Sequence, residues 1–317
     1  MKSTLSTPCL LALVLITFAP LTTATDEQLE DNFSDCADCP EMVVIPAGSV
    51  TLGSHPDEAY RLESERLKTV ATIAKPFAMA KTEVTVGQFR QFMAETKFKP
   101  QIALYNGQPR IGCNYFDGKG YGYVAAHSWQ NPGFPQREND PVVCVSWSDA
   151  KAFAEWMSKK SGRQYRLPSS VEFEYAMRVG SSTPWEWGTS AAKACEYGNI
   201  GDRTFARAYP NRETFGCDDG HLYPTAVGSY KPNGFGLYDM LGNAWEWTED
   251  CWHNDMTNAP VDGSAWLAED EGDCERRTPK GGGWVSGPAW ARAAVRSADG
   301  AHYRSYMLGF RLAANVE

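Results

Sequence analysis

The 317-residue chain is 43% hydrophobic and carries 39 acidic against 30 basic side chains, a net charge of −9. That apolar content is enough for a packed core and excludes a wholly disordered chain. The negative balance argues against nucleic acid as a partner.

The N-terminus has one cation, Lys2, then an apolar run from Cys9 to Ala19, then small residues ending Thr22-Thr23-Ala24. This order predicts a secretory signal over residues 1–24, cleaved near Ala24, and hence a periplasmic protein with no membrane span after cleavage. The apolar run is shorter than the roughly 20 residues a spanning helix needs. A retained anchor is the alternative. Removal of the signal takes away Cys9 and leaves eight cysteines, an even number that in an exported chain points to disulfides. Their pairing cannot be deduced from the sequence; sequential pairing is the simplest expectation, since neighbours fall within single loops. Cys36 and Cys39 form a CxxC, which reads as a structural bridge, with a redox or zinc motif as the other reading.

Residues 25–40 are acidic, almost without apolar pattern, and are expected to be a flexible leader. No linker or low-complexity tract divides the rest, so 41–317 reads as one domain. Three helices announce themselves by capping boxes: Thr85 with Gln88, running to about Thr96; Ser146 with Asp149, ending near Gly162; and Ser169 with Glu172, after Pro168 has kept Leu167 extended. Elsewhere 28 glycines and 19 prolines without a repeat period predict many turns. Short apolar runs such as Met42–Ile45 and Gly309–Ala313 read as strands. The pattern describes an α+β domain with few strands and long loops.

Seven segments, in order, resemble signature stretches of the formylglycine-generating-enzyme, or sulfatase-modifying-factor, family: MVVIPAG from Met42, KTEVT from Lys81, PVVCVSW from Pro141, RLPS from Arg166, NGFGLYDMLGNAWEW from Asn233, KGGGW from Lys280 and GFR from Gly309. The series covers roughly residues 39–317. The resemblance implies a C-type-lectin-like variant fold, low in regular secondary structure and stabilised by disulfides and calcium.

The segment Asp239–Glu246 has physical content of its own: two carboxylates and closely spaced carbonyls in a glycine-containing turn suit a hard cation. The resemblance implies a structural calcium ion on the Asp239 side chain, the Gly242 and Ala244 carbonyls and the Glu246 side chain. It implies a second on Asn199, Ile200, Asp219 and His221, with Ile200 and His221 contributing only their carbonyls. The other reading of these acids is that they cap turns.

Formylglycine-generating enzymes hold copper on two thiolates five residues apart, as soft ligands suit Cu(I). The resemblance places Ser286 and Ala291 at those positions, so no copper is expected, and sulfatase activation by that chemistry is not expected either. The five histidines, His55, His127, His221, His253 and His302, lack metal-ligand spacing. No catalytic residue is assigned. Arg292, Arg296, Arg304 and Arg311, with Trp290, Tyr303 and Tyr306, could face an acidic or extended partner or serve as struts. The reading placed first is a non-catalytic binding or regulatory protein, resembling periplasmic family members that promote type VI secretion signalling through a membrane kinase. A protein partner is therefore expected, with the kinase's periplasmic domain as the candidate. The alternative is a maturation enzyme for siderophores of the pyoverdine type, with Glu172, Glu174 or Asp299 as candidate acid or base. A purely structural, lectin-like envelope protein is the third reading.

Overall fold

A computed structural model describes residue 1 and residues 32–65, 69–105 and 108–316; the predicted signal and residues 25–31 of the leader lie outside them. The architecture is α+β, as expected. One four-stranded antiparallel sheet runs in the order Met42–Ile45, Phe77–Ala80, Ala313–Asn315, Tyr165–Arg166. A second runs Asp299–Gly300, Asp273–Lys280, Trp245–Trp252, Leu308–Gly309, with only the last pairing parallel. Three two-stranded ribbons and long loops make up most of the remainder. Among the described residues, no helix is long and apolar enough to cross a membrane.

All three capping boxes form, with side chain and backbone bonded in both directions. Helix α1 (Val86–Thr96) buries Val86, Phe89 and Phe92, and α2 (Trp147–Ser161) buries Ala150, Phe153, Ala154 and Met157. Their aromatic faces meet over the first sheet, where Phe89, Phe153 and Phe310 pack ring against ring. Helix α2 ends at Gly162, whose φ of 82° supplies the left-handed cap. Helix α3 (Ser170–Arg178) is buried along its whole length. Its cap Ser169 accepts from the Glu172 amide at 3.0 Å and donates to the Gly263 carbonyl at 2.8 Å. Ser169→Ala should therefore cost about 1–2 kcal/mol, more than a peptide cap, because it also strands a carbonyl; urea unfolding measures it.

One expectation needs correction. The run Gly309–Ala313 is not one strand: Leu308–Gly309 belongs to one sheet and Ala313–Asn315 to the other, with Arg311 in the crossing between them. Of the expected flexible leader, the described part is tied to the domain. Phe33 bridges Met42, Asp35 pairs with Arg163 at 3.0 Å and accepts from the Tyr165 hydroxyl at 2.7 Å, and Arg163 lies over the Phe33 ring.

The disulfides are sequential: Cys36–Cys39, Cys113–Cys144, Cys195–Cys217 and Cys251–Cys274. The second fixes the ribbon Cys113–Phe116/Tyr121–Val124 to residue 144, whose amide bonds the Ser305 carbonyl at 2.9 Å.

Candidate functional site

The chain coils tightly before the strand Trp245–Trp252: Asp239, Gly242 and Asn243 have φ of 54°, 83° and 53°. A Cβ on Gly242 would stand 2.2 Å from the Asn199 carbonyl oxygen and 2.8 Å from Ile200, so only glycine fits. The two predicted cation segments therefore touch at this point, and the Asn243 amide donates to the Asn199 carbonyl at 2.6 Å.

Asp239 is buried; its Oδ2 accepts from the Gly228 amide at 2.7 Å, while Oδ1 has no hydrogen-bond partner. Glu246 is engaged through both oxygens by Arg311, at 2.6 and 2.7 Å. Beside them lies Glu83, buried with both carboxylate oxygens unpartnered, which sequence reasoning did not single out. Burial, then the charges of Asp239 and Glu246, hold Glu83 well above the usual carboxylate range, and burial pushes Asp239 up to about 6. Three carboxylates thus share one guanidinium, leaving two negative charges for protons or a cation to balance.

In the second segment the buried Asn199 donates through Nδ2 to the Tyr223 carbonyl at 2.7 Å, while its Oδ1 has no partner. Asp219 accepts from the His221 amide at 2.8 Å and from the Tyr230 hydroxyl at 3.1 Å, and burial pushes it up to about 6. Ile200 is buried; His221 is exposed. The buried Asn199 oxygen meets no N–H or O–H, and the Asp239 and Glu83 carboxyls face each other within hydrogen-bond reach, so either a shared proton or a hard cation can satisfy them; the donor set is all oxygen. Among the described residues no three His, Cys, Asp or Glu side chains converge on a metal position, so backbone carbonyls would have to complete either shell.

A separate cleft of about 330 Å³ opens beside Ser286, with Trp245, Trp290, Tyr121 and Tyr303 among its walls. Ser286 Oγ accepts from the Gly283 amide at 3.0 Å and the Trp245 indole N–H at 3.1 Å, leaving its own proton unassigned. Ala291, which the resemblance pairs with Ser286, is fully buried and does not line the cleft. All eight cysteines in the described residues are disulfide-bonded, so none of them offers a thiol.

Of the candidate acids, Glu172 caps α3 and pairs with Arg166 at 2.6 Å, and Glu174 lies between Arg178 and Lys280, at 2.8 and 2.9 Å. Only Asp299 is in the cleft, and burial pushes it up to about 6. The arginines considered for an acidic partner are turned inward: Arg292 to Glu58 and Glu65, Arg304 to Asp149, Arg311 to Glu246, and Arg296 over the Trp252 ring. Trp290, by contrast, is 47% exposed.

The family model described as "Sulfatase-modifying factor enzyme 1-like domain" matches residues 28–316. The chain belongs to this family. The formylglycine-generating enzyme of Thermomonospora curvata is 29% identical over 86% of this chain and 93% of its own length. A Bos taurus relative named inactive C-alpha-formylglycine-generating enzyme 2 is 26% identical over 87% and 88%. Among solved structures, PvdO from Pseudomonas aeruginosa superposes with a TM-score of 0.71 at 35% identity, over 90% of this chain and 98% of that one.

Proposed function

We propose that this chain is a periplasmic, copper-free member of the sulfatase-modifying-factor family that takes a small peptide-like molecule in the Ser286 cleft and matures a siderophore of the pyoverdine type. The cleft carries this reading. Its volume suits a small ligand, its walls are aromatic, and Asp299 is a carboxylate able to exchange a proton near neutral pH. The inward-turned arginines count against a broad acidic protein surface at this place. The test is to incubate the purified protein with precursors of such siderophores and follow mass and absorption. A change given by the native protein and lost in Trp290→Ala supports maturation; precursors recovered unchanged across the set remove it.

The binding or regulatory reading keeps one specific support, the likeness to a relative named inactive. It predicts that the mature protein captures the periplasmic domain of a membrane kinase, and pull-down of that domain alone decides it.

We also propose that calcium is held structurally, one ion by Asp239 with the Gly242 and Ala244 carbonyls and Glu246, another by Asn199, Ile200, Asp219 and His221. The unpartnered oxygens of Asp239 and Asn199 support this, whereas Glu246 would have to share its oxygens with Arg311. Chelation with EGTA is expected to lower Tm by roughly 5 °C or more, restored by calcium but not by magnesium. A melting curve indifferent to EGTA would remove the ions.

A further inference from the structure

We propose that the cleft beside Ser286 selects ligands bearing a cationic nitrogen, an amine or guanidine, which Asp299 receives between aromatic walls. This rests on the reading of the cleft as a small-ligand site and names the chemistry of its occupant.

Asp299 stands on the short edge strand Asp299–Gly300, paired in register with Arg277 of the neighbouring strand. The Arg277 guanidinium is turned away, stacked 3.7 Å from the Trp147 ring and donating to the Glu249 carbonyl. The hydrogen bond that Asp299 receives is from Ser297 Oγ, at 3.2 Å, and among the described residues no ion pair reaches it. Its charge is therefore set in the cleft without a protein counter-ion. The rings of Trp245, Trp290, Tyr121 and Tyr303 line the same space, and aromatic faces attract a cation; the Tyr121 ring already carries Arg212. Ser305, buried next to Tyr303, lines the same cleft. The other charged lining group, Arg212, is exposed at the rim; it donates to the Tyr121 hydroxyl at 3.0 Å and lies over the Phe116 ring. Arg212 would repel a cation only at the mouth, while Asp299 attracts it within.

The cation has a chemical consequence for the proposed maturation. A carboxylate against a protonated amine can hold the ligand in one orientation.

The test uses three ligands of one shape and different charge: tyramine, 4-ethylphenol and 3-(4-hydroxyphenyl)propionate. Binding to the mature native protein is read by calorimetry and tryptophan fluorescence. At pH 7.5 tyramine should bind about tenfold tighter than the neutral phenol, and the propionate weakest. Asp299→Asn should erase the tyramine preference and Asp299→Glu should keep it. Melting of both variants shows that they fold; Asp299→Asn should melt no lower than the native protein, since it removes an uncompensated charge. The preference should also fade as pH falls through about 6, as Asp299 takes up a proton. The groups facing it, Tyr123 and Tyr303, stay neutral there because burial raises both. Equal binding of tyramine and the phenol, or tightest binding of the propionate, would overturn the cation inference and leave the cleft as a ligand site. Absence of binding by all three, with Trp290→Ala indistinguishable from native, would overturn both.

Discussion

Arg311→Met is expected to lower stability by about 3–5 kcal/mol at neutral pH, with the melting transition still cooperative. Arg311 is buried at the crossing between the sheets and balances Glu246 through two hydrogen bonds, with Glu83 and Asp239 adjacent. Without the guanidinium, three buried carboxylates face one another, and methionine replaces volume but no charge. The loss should depend on pH in a defined direction. Glu83, Asp239 and Glu246 all have raised folded pKa values, so each favours the fold when protonated, below its unfolded pKa near about 4. That contribution disappears as pH rises through the folded values, about 6 for Asp239. The deficit of Arg311→Met should therefore shrink between pH 7 and pH 5. Urea unfolding at both pH values, at fixed calcium, measures it. A deficit below about 1 kcal/mol at pH 7, or one indifferent to pH, would refute the charge argument. If the variant does not accumulate, Glu83→Gln gives an independent reading: it removes an unpartnered acid and should be neutral or stabilising.

Removing the Cys113–Cys144 bridge by a double substitution to serine is expected to cost roughly 3–4 kcal/mol, the loop-closure value for a 31-residue separation. Both residues are buried, so the serines add an unmet polar group to the lost cross-link. The effect should reach the cleft. The bridge holds the ribbon that carries Tyr121, and the ribbon is stitched to the cleft floor by the Asn114 amide to the Arg304 carbonyl at 2.9 Å and by the Tyr306 amide to the Asn114 carbonyl at 3.1 Å. Thermal melting should fall and ligand binding weaken together. A double variant that melts like the native protein and binds normally would show that the ribbon is held by its aromatic contacts alone.

The helices were legible because their information is local. Thr85, Ser146 and Ser169 each meet a Gln, Asp or Glu three positions on, and that spacing alone closes a capping box. The disulfides were legible as a set because their order along the chain follows their loops. Asp239, Gly242, Ala244 and Glu246 could be gathered from one short segment, and the structure does bring Asn199 to Gly242. What escaped was whatever depends on distant strands. Glu83 stands among Lys81, Thr82, Val84 and Thr85 like a surface acid and gives no sign of the carboxylates it joins, since Asp239 and Glu246 reach it only through the folded core. The inward turn of Arg292 depends on Glu58 and Glu65, more than two hundred residues earlier. The cleft itself depends on Tyr121, carried there by a ribbon whose anchor is Cys144.

The placement of Ala313–Asn315 sets an order of events. This strand lies inside the first sheet, between Phe77–Ala80 and Tyr165–Arg166, which cannot complete their pairing until it arrives. Synthesis delivers it after both neighbours, so the sheet stays open while most of the chain already exists. Arg311, two residues earlier, arrives with it, and until then Glu246 has no counter-ion. Closure of the first sheet and neutralisation of the buried acids therefore depend on the same last segment of the chain, and the N-terminal half alone cannot complete either.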